Sequence, residues 1–173
     1  MTTASVAYKP LIKVNLGCGG NWKAEGWFGL DMHATSFIWQ VGAEKTYLDI
    51  DVKKGLPFAD QSVDVVFSSH TLEHFTHAEA VVLLAEIYRV MKVGAPLCLV
   101  VPDMDIYVDK LIKRDETFLM TPEIVGGRIK NNLTDNFLMN FYSDPRFNNT
   151  CHKYAYNFEN MQATLFFLLA GIA

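Results

Sequence analysis

Two hydrophobic periods take turns along this chain. Residues 11–16, LIKVNL, form a short apolar run interrupted at alternate positions by Lys13 and Asn15, which predicts a strand over 12–16. A second run, WFGLD at 27–31, predicts another, and 46–50 a third, ending among Asp49 and Asp51. Asp60-Gln61-Ser62 reads as a turn, and the β-branched run 63–67 after it as a fourth strand that leads into Ser68-Ser69-His70. The period then changes. Residues 77–92, HAEAVVLLAEIYRVMK, carry apolar side chains at 80, 81, 83, 84, 87, 88 and 91, the spacing of a helix with one buried face. Lys92 suits the negative end of that helix, and Gly94 suits its stop. Residues 96–101 are almost wholly apolar, as befits a fifth strand buried on both faces.

Between these segments the pattern is looser. Residues 1–10 read as a lead-in closed by Pro10. The connection 17–26 is too short for a full crossover helix, so a single helical turn is expected there. Phe37-Ile38-Trp39 suggests a short helix ended by Gly42. Beyond Pro102, a helix is expected over 104–114. Residues 115–150, with Gly126-Gly127 and many asparagines, read as an excursion with one or two helical pieces. A last helix over 158–170 follows Asn157, whose side chain suits its N-cap. Strands alternating with helical segments predict an α/β three-layer sandwich. It is taken as one domain over 1–173, with a cap at about 104–157.

Composition narrows the class. The chain has 173 residues, half of them hydrophobic and a fifth charged, with a net charge of −4, an ordinary globular balance. That charge disfavours a broad nucleic-acid or anionic-membrane surface, so neither partner is expected. No apolar run reaches the length of a membrane span, and MTTASVAYKP lacks a signal-peptide core. Three scattered cysteines do not form a disulfide framework, and a cytoplasmic location is the default expectation.

The chemistry concentrates between the first two strands. Gly17-Cys18-Gly19-Gly20 places three glycines in four positions, where a ligand can approach bare main chain. Asp31 ends the next strand, where an acid can accept two ribose hydroxyls. A dinucleotide fingerprint would need a third glycine at Trp22, and no Gly-Lys-Ser/Thr follows, so neither a dinucleotide turn nor a P-loop is matched. VNLGCGG followed by GWFGLD resembles the first motif of class I S-adenosylmethionine-dependent methyltransferases. DVKKGLPFADQSVDVVFSSHTLEHF and EIYRVMKVGAPLCLVVPD resemble two further segments of the same group, with Val93 and Ala95 as mild departures. His152-Lys153-Tyr154-Ala155-Tyr156-Asn157 resembles an element before its last helix.

The resemblance implies a Rossmann-like, mostly parallel sheet of order 3-2-1-4-5, with S-adenosyl-L-methionine as cofactor and S-adenosyl-L-homocysteine as product. The methyl acceptor would be small or sugar-like. It places the cofactor against Leu16, Gly17, Cys18, Gly19, Asp31, Met32, Asp51, Val52, Ser69 and His70. Asp49 is an alternative to Asp51 on the adenine side. Cys18 reads as a small turn residue, not a nucleophile. His70 and His152 are the candidates for a catalytic base or orienting group. His70, His74 and His77, spaced i, i+4, i+7 around Glu73, could be read as a metal face. They match no H-E-x-x-H pattern, and no metal is expected.

The family fold has seven strands and this pattern supplies five, so the C-terminal hairpin is read as missing. Either the chain is part of a longer protein, or a second copy covers the fifth strand in a homodimer. Two other functions stay open. One is a module that binds S-adenosylmethionine or S-adenosylhomocysteine without catalysis, separable by a turnover assay. The other is a nicotinamide-dependent oxidoreductase, separable by which ligand raises the melting point.

Overall fold

The computed structural model describes residues 10–19, 24–31, 47–119, 132–142 and 151–172. The fold is α/β and Rossmann-like, built on a five-stranded sheet. Its strands are β1 (Lys13–Leu16), β2 (Trp27–Asp31), β3 (Tyr47–Asp49), β4 (Val65–Ser69) and β5 (Leu97–Val100). The spatial order is β3-β2-β1-β4-β5, as the family resemblance implies. β1 runs parallel to both β2 and β4, with Leu16 level with Leu30 on one side and Ser68 on the other. β2 and β3 are parallel too, and their register sets Asp31 level with Asp49. Between β4 and β5, Val66 N–H donates to Pro96 O and His70 N–H to Val100 O. The constant offset of 30 residues between donor and acceptor means a parallel pair.

The helices are α1 (His77–Val90), α2 (Met104–Ile112), α3 (Glu116–Leu119), α4 (Leu133–Tyr142) and α5 (Phe158–Ile172). α1 opens with a capping box: Thr76 N–H donates to the Glu79 carboxylate, and Glu79 N–H to the Thr76 hydroxyl. α5 opens on a reciprocal pair, with Asn160 N–H on Asn157 Oδ1 at 2.9 Å and Asn157 N–H on Asn160 Oδ1 at 3.0 Å. The cap expected at Asn157 is therefore made. α2 starts at Asp103, whose carboxylate accepts from Asp105 N–H. α3 and α4 are helical pieces within the expected excursion.

By its internal packing the chain divides into two compact units, Met1–Ser68 with Glu86–Leu99, and Ser69–Ala85 with Val100–Ala173. In the first, Val14, Leu16, Leu30, Val63, Val66 and Val90 are buried around the sheet. In the second, Leu72, Leu83, Leu84 and Tyr156 are buried.

Four expectations need correction. The fourth strand starts at Val65, not Val63, because Val63 N–H donates to Val90 O and Val63 O accepts from Lys92 N–H. The same pairing ends α1 at Val90, short of the expected 92. On α1 the expected positions 80, 83, 84 and 87 are buried, whereas Tyr88 is exposed and Val90, outside the stripe read in the sequence, is buried. β5, expected to be buried on both faces, exposes Leu97 and Val100, as the last strand of the sheet. The short helix expected near 37–42 and the helical turn at 20–23 lie outside the described residues.

Candidate functional site

In the first unit the glycine corner is built by the end of β1. Gly17 and Gly19 have φ of 67° and 71°, the left-handed region that glycine enters without strain. Gly17 N–H donates to Leu30 O at 2.7 Å and Cys18 N–H to the same oxygen at 3.3 Å, folding the turn toward the end of β2. Gly19 N–H then donates to Asp31 Oδ2 at 2.6 Å. A main-chain donor and a strand-end carboxylate are thus held together, though twelve residues apart. A Cβ built at Gly19 would have no atom within 4 Å, so among the described residues the space above this backbone is open. Burial, and then the Asp31 charge, push the Cys18 thiol up to about 12. It stays neutral at physiological pH, and a thiol is a poor nucleophile in that form.

At the end of β3, Asp49 is exposed, level with Asp31. Asp51 caps the 3-10 turn Val52–Lys54, its carboxylate accepting from Lys53 N–H at 3.1 Å, and Val52 is buried beneath it. The following loop is anchored to the last turn of α1. Arg89 donates to the carbonyls of Leu56 and Phe58 and to the Asp60 and Glu86 carboxylates. Glu86 in turn accepts from Leu56 N–H. The Arg89 guanidinium, and then this backbone donor, hold the Glu86 carboxyl below the usual carboxylate range. Nothing in the sequence pattern marked Arg89. Leu16, Gly17, Cys18, Gly19, Asp31, Asp51 and Val52 all lie in this unit, whereas Met32 falls outside the described residues.

The second unit holds a different cluster. Ser69 ends β4, its carbonyl accepting from the Thr71 hydroxyl at 3.2 Å. His70 has φ of 53°, an uncommon conformation for a non-glycine residue. A 3-10 turn, Leu72–His74, follows, and α1 begins only at His77. His70, His74 and His77 therefore share no helical face, contrary to what their spacing suggested. His77 Nε2 instead lies 3.2 Å from the Thr164 hydroxyl.

His70, Glu73, His74 and His152 do meet. Glu73 is 1% exposed, and both its carboxylate oxygens are buried without a hydrogen-bond partner among the described residues. His70 Nδ1 lies 3.2 Å from Glu73 Oε1, within ion-pair range but outside hydrogen-bond alignment. The His74 and His152 rings meet edge to face, their centroids 4.9 Å apart. Burial pushes the Glu73 carboxyl up, opposed by its own backbone amide and then the neighbouring histidines. Burial, then His74 and His70, push His152 down to about 4, so its imidazole is neutral at physiological pH. Two main-chain donors, Lys153 N–H at 2.6 Å and Tyr154 N–H at 3.3 Å, converge on the Glu73 carbonyl. The Tyr156 hydroxyl is also buried without a partner, and burial first, then Tyr154 and Glu73, push it up to about 12. Sequence reasoning saw Glu73 only as the residue between histidines. A buried acid beside one histidine and near a second 79 positions on would have been the signal.

Residues 14–99 match a family described as Methyltransferase domain. Among solved structures, the chain is similar to a SAM dependent methyltransferase from Archaeoglobus fulgidus. The two are 19% identical with a TM-score of 0.58, over 91% of this chain and 60% of that one. It is also similar to the YcgJ protein from Bacillus subtilis, at 19% identity and a TM-score of 0.50, over 90% of this chain and 60% of that one. The chain thus spans 60% of the length of each. At such identity these likenesses speak for the fold. No curated protein matches the chain.

Proposed function

We propose that this chain is a class I S-adenosylmethionine-dependent methyltransferase whose glycine corner holds S-adenosyl-L-methionine for methyl transfer to a small or sugar-like acceptor, a reading supported by the match of residues 14–99 to a family described as Methyltransferase domain. The observation that carries this reading is the pairing of Gly19 N–H with Asp31 Oδ2 at 2.6 Å, with no other described atom within 4 Å of where a Gly19 Cβ would lie. It supplies the two things such a ligand asks for, bare main chain and a strand-end carboxylate. The residues fit the cofactor. Asp31 would accept its ribose hydroxyls, and the Gly17–Gly19 backbone would lie against its methionine part. Asp51 and Val52 would flank its adenine. When bound, the sulfonium supplies a methyl group that is already activated. The contribution of the chain is then chiefly to orient it, which accounts for much of the rate in such reactions. A neutral Cys18 beside the carboxylate keeps a competing nucleophile out of the pocket.

Calorimetry of the chain with S-adenosylhomocysteine, and separately with NAD, tests the cofactor. Micromolar or tighter binding of the first, and none of the second, is expected. No heat with S-adenosylhomocysteine, or heat unchanged by Asp31→Ala, would sink the reading. Labelled S-adenosylmethionine offered with a panel of small hydroxylated acceptors tests turnover. Binding without turnover across the panel would favour a non-catalytic cofactor-holding module.

A further inference from the structure

We infer that Glu73, His74 and His152 form a binding site for one divalent transition-metal cation. All three lie in the second unit, and the inference stands apart from the cofactor reading above. Their candidate ligand atoms, one carboxylate oxygen and two imidazole nitrogens, lie within 4.8 Å of one another. In a tetrahedral site with bonds of about 2.0–2.1 Å, neighbouring ligand atoms stand roughly 3.3 Å apart. Small side-chain rotations would close the set around an ion.

Glu73 gives the independent reason. A carboxylate that is 1% exposed normally has donors on both oxygens, yet neither oxygen here has a hydrogen-bond partner. The side chain is not there to cap a helix or anchor a loop. Its carbonyl carries that load instead, through Lys153 N–H and Tyr154 N–H. Those two bonds fix the stretch bearing His152 beside the stretch bearing Glu73 and His74, so the ligand set is pre-arranged by main chain. His74 Nδ1 lies 3.4 Å from Cys151 O. A ligand imidazole commonly donates its other nitrogen to a backbone carbonyl, which fixes the ring and leaves Nε2 to the metal. His70, exposed and 3.2 Å from the same carboxylate, flanks the set without completing it.

The donor set names the class of ion. Two imidazoles and one carboxylate suit Zn²⁺, Co²⁺ or Mn²⁺ and are poor for Ca²⁺, which prefers oxygen throughout. Three protein ligands leave a coordination position for water or another oxygen ligand.

The test is a titration of the full chain, stripped with chelator, with ZnCl₂ in a non-coordinating buffer, read by calorimetry. One ion per chain at micromolar or tighter Kd is expected. Glu73→Gln and His152→Ala should each weaken it at least tenfold, and His77→Ala, whose ring meets Thr164, should leave it unchanged. Far-UV circular dichroism checks that each variant folds. Should a variant fail to fold, the unaltered chain still decides. Zn²⁺ should shift the ring-nitrogen resonances of His74 and His152 and spare those of His77. Absence of stoichiometric Zn²⁺ binding, resonances of His74 and His152 that do not move, or folded variants that bind as tightly as the parent would each overturn the site.

Discussion

The two units each bring one acid to the centre of a cluster, and the two acids are in opposite states. Asp31 stands at the end of β2 with a main-chain N–H on its Oδ2 at 2.6 Å. Glu73 lies in the interior with neither carboxylate oxygen hydrogen-bonded. A carboxylate at a strand end that already accepts from backbone can exchange that donor for a ligand hydroxyl at little net cost. A carboxylate taken out of water without donors is held only by a proton or a cation. The first acid is poised for a neutral polar ligand, the second for a positive charge. If both proposals hold, one sequence uses the same functional group for two kinds of recognition, and burial decides which.

The sharpest way to break this contrast is to remove Asp31. If it receives two ribose hydroxyls, Asp31→Ala should weaken S-adenosylhomocysteine binding by roughly 10- to 100-fold, the loss expected for hydrogen bonds to a charged group. The fold should survive, and calorimetry reads the change. Next comes Glu73→Met, measured by urea unfolding in chelator. An apolar side chain of similar length should leave the chain as stable or raise its unfolding free energy by roughly 1–3 kcal/mol, since it removes an unsatisfied buried acid. A loss of stability would mean that Glu73 has a structural partner after all. Smaller again is Gly19→Ala. Its left-handed φ should cost about 1 kcal/mol of stability, while the open space above it predicts a disproportionate loss of cofactor affinity. The last prediction is a reactivity that stays low. Because burial and Asp31 raise the Cys18 pKa in the folded state, its thiolate is suppressed through pH 8 and emerges only as the pH climbs towards 12. Peptide mapping after brief labelling at pH 8 should find Cys98, which is exposed, modified well ahead of Cys18.

How far the sequence foretold this differs between the two units. The sheet was legible because strand-forming runs, glycine turn and strand-end acid are local patterns, and the strand order follows from the family resemblance. Strand ends were read less well. Val63 looks like a strand residue, but its hydrogen bonds go to Val90 and Lys92, a pairing between segments 27 residues apart that no local period reveals. The histidine cluster was harder still. His70, His74 and His77 share a spacing that mimics one helix, and only the left-handed turn at His70 and the 3-10 turn after it separate them. His152 comes from the far end of the chain, brought in by main-chain bonds to Glu73 that any residue type except proline can make. Such a contact leaves no mark in side-chain pattern.

Arg89 has a consequence for how the loop at 56–60 behaves. Its guanidinium reaches two carbonyls and one acid of the 56–60 loop, and a second acid on its own helix. Together with the Glu86 carboxylate that accepts from Leu56 N–H, it ties the loop to the last turn of the helix. Lysine in that position would keep the charge but present one point in place of a planar fork. The loop would then swing about Leu56, still tethered through its N–H to Glu86, with its hold at Phe58 and Asp60 weakened.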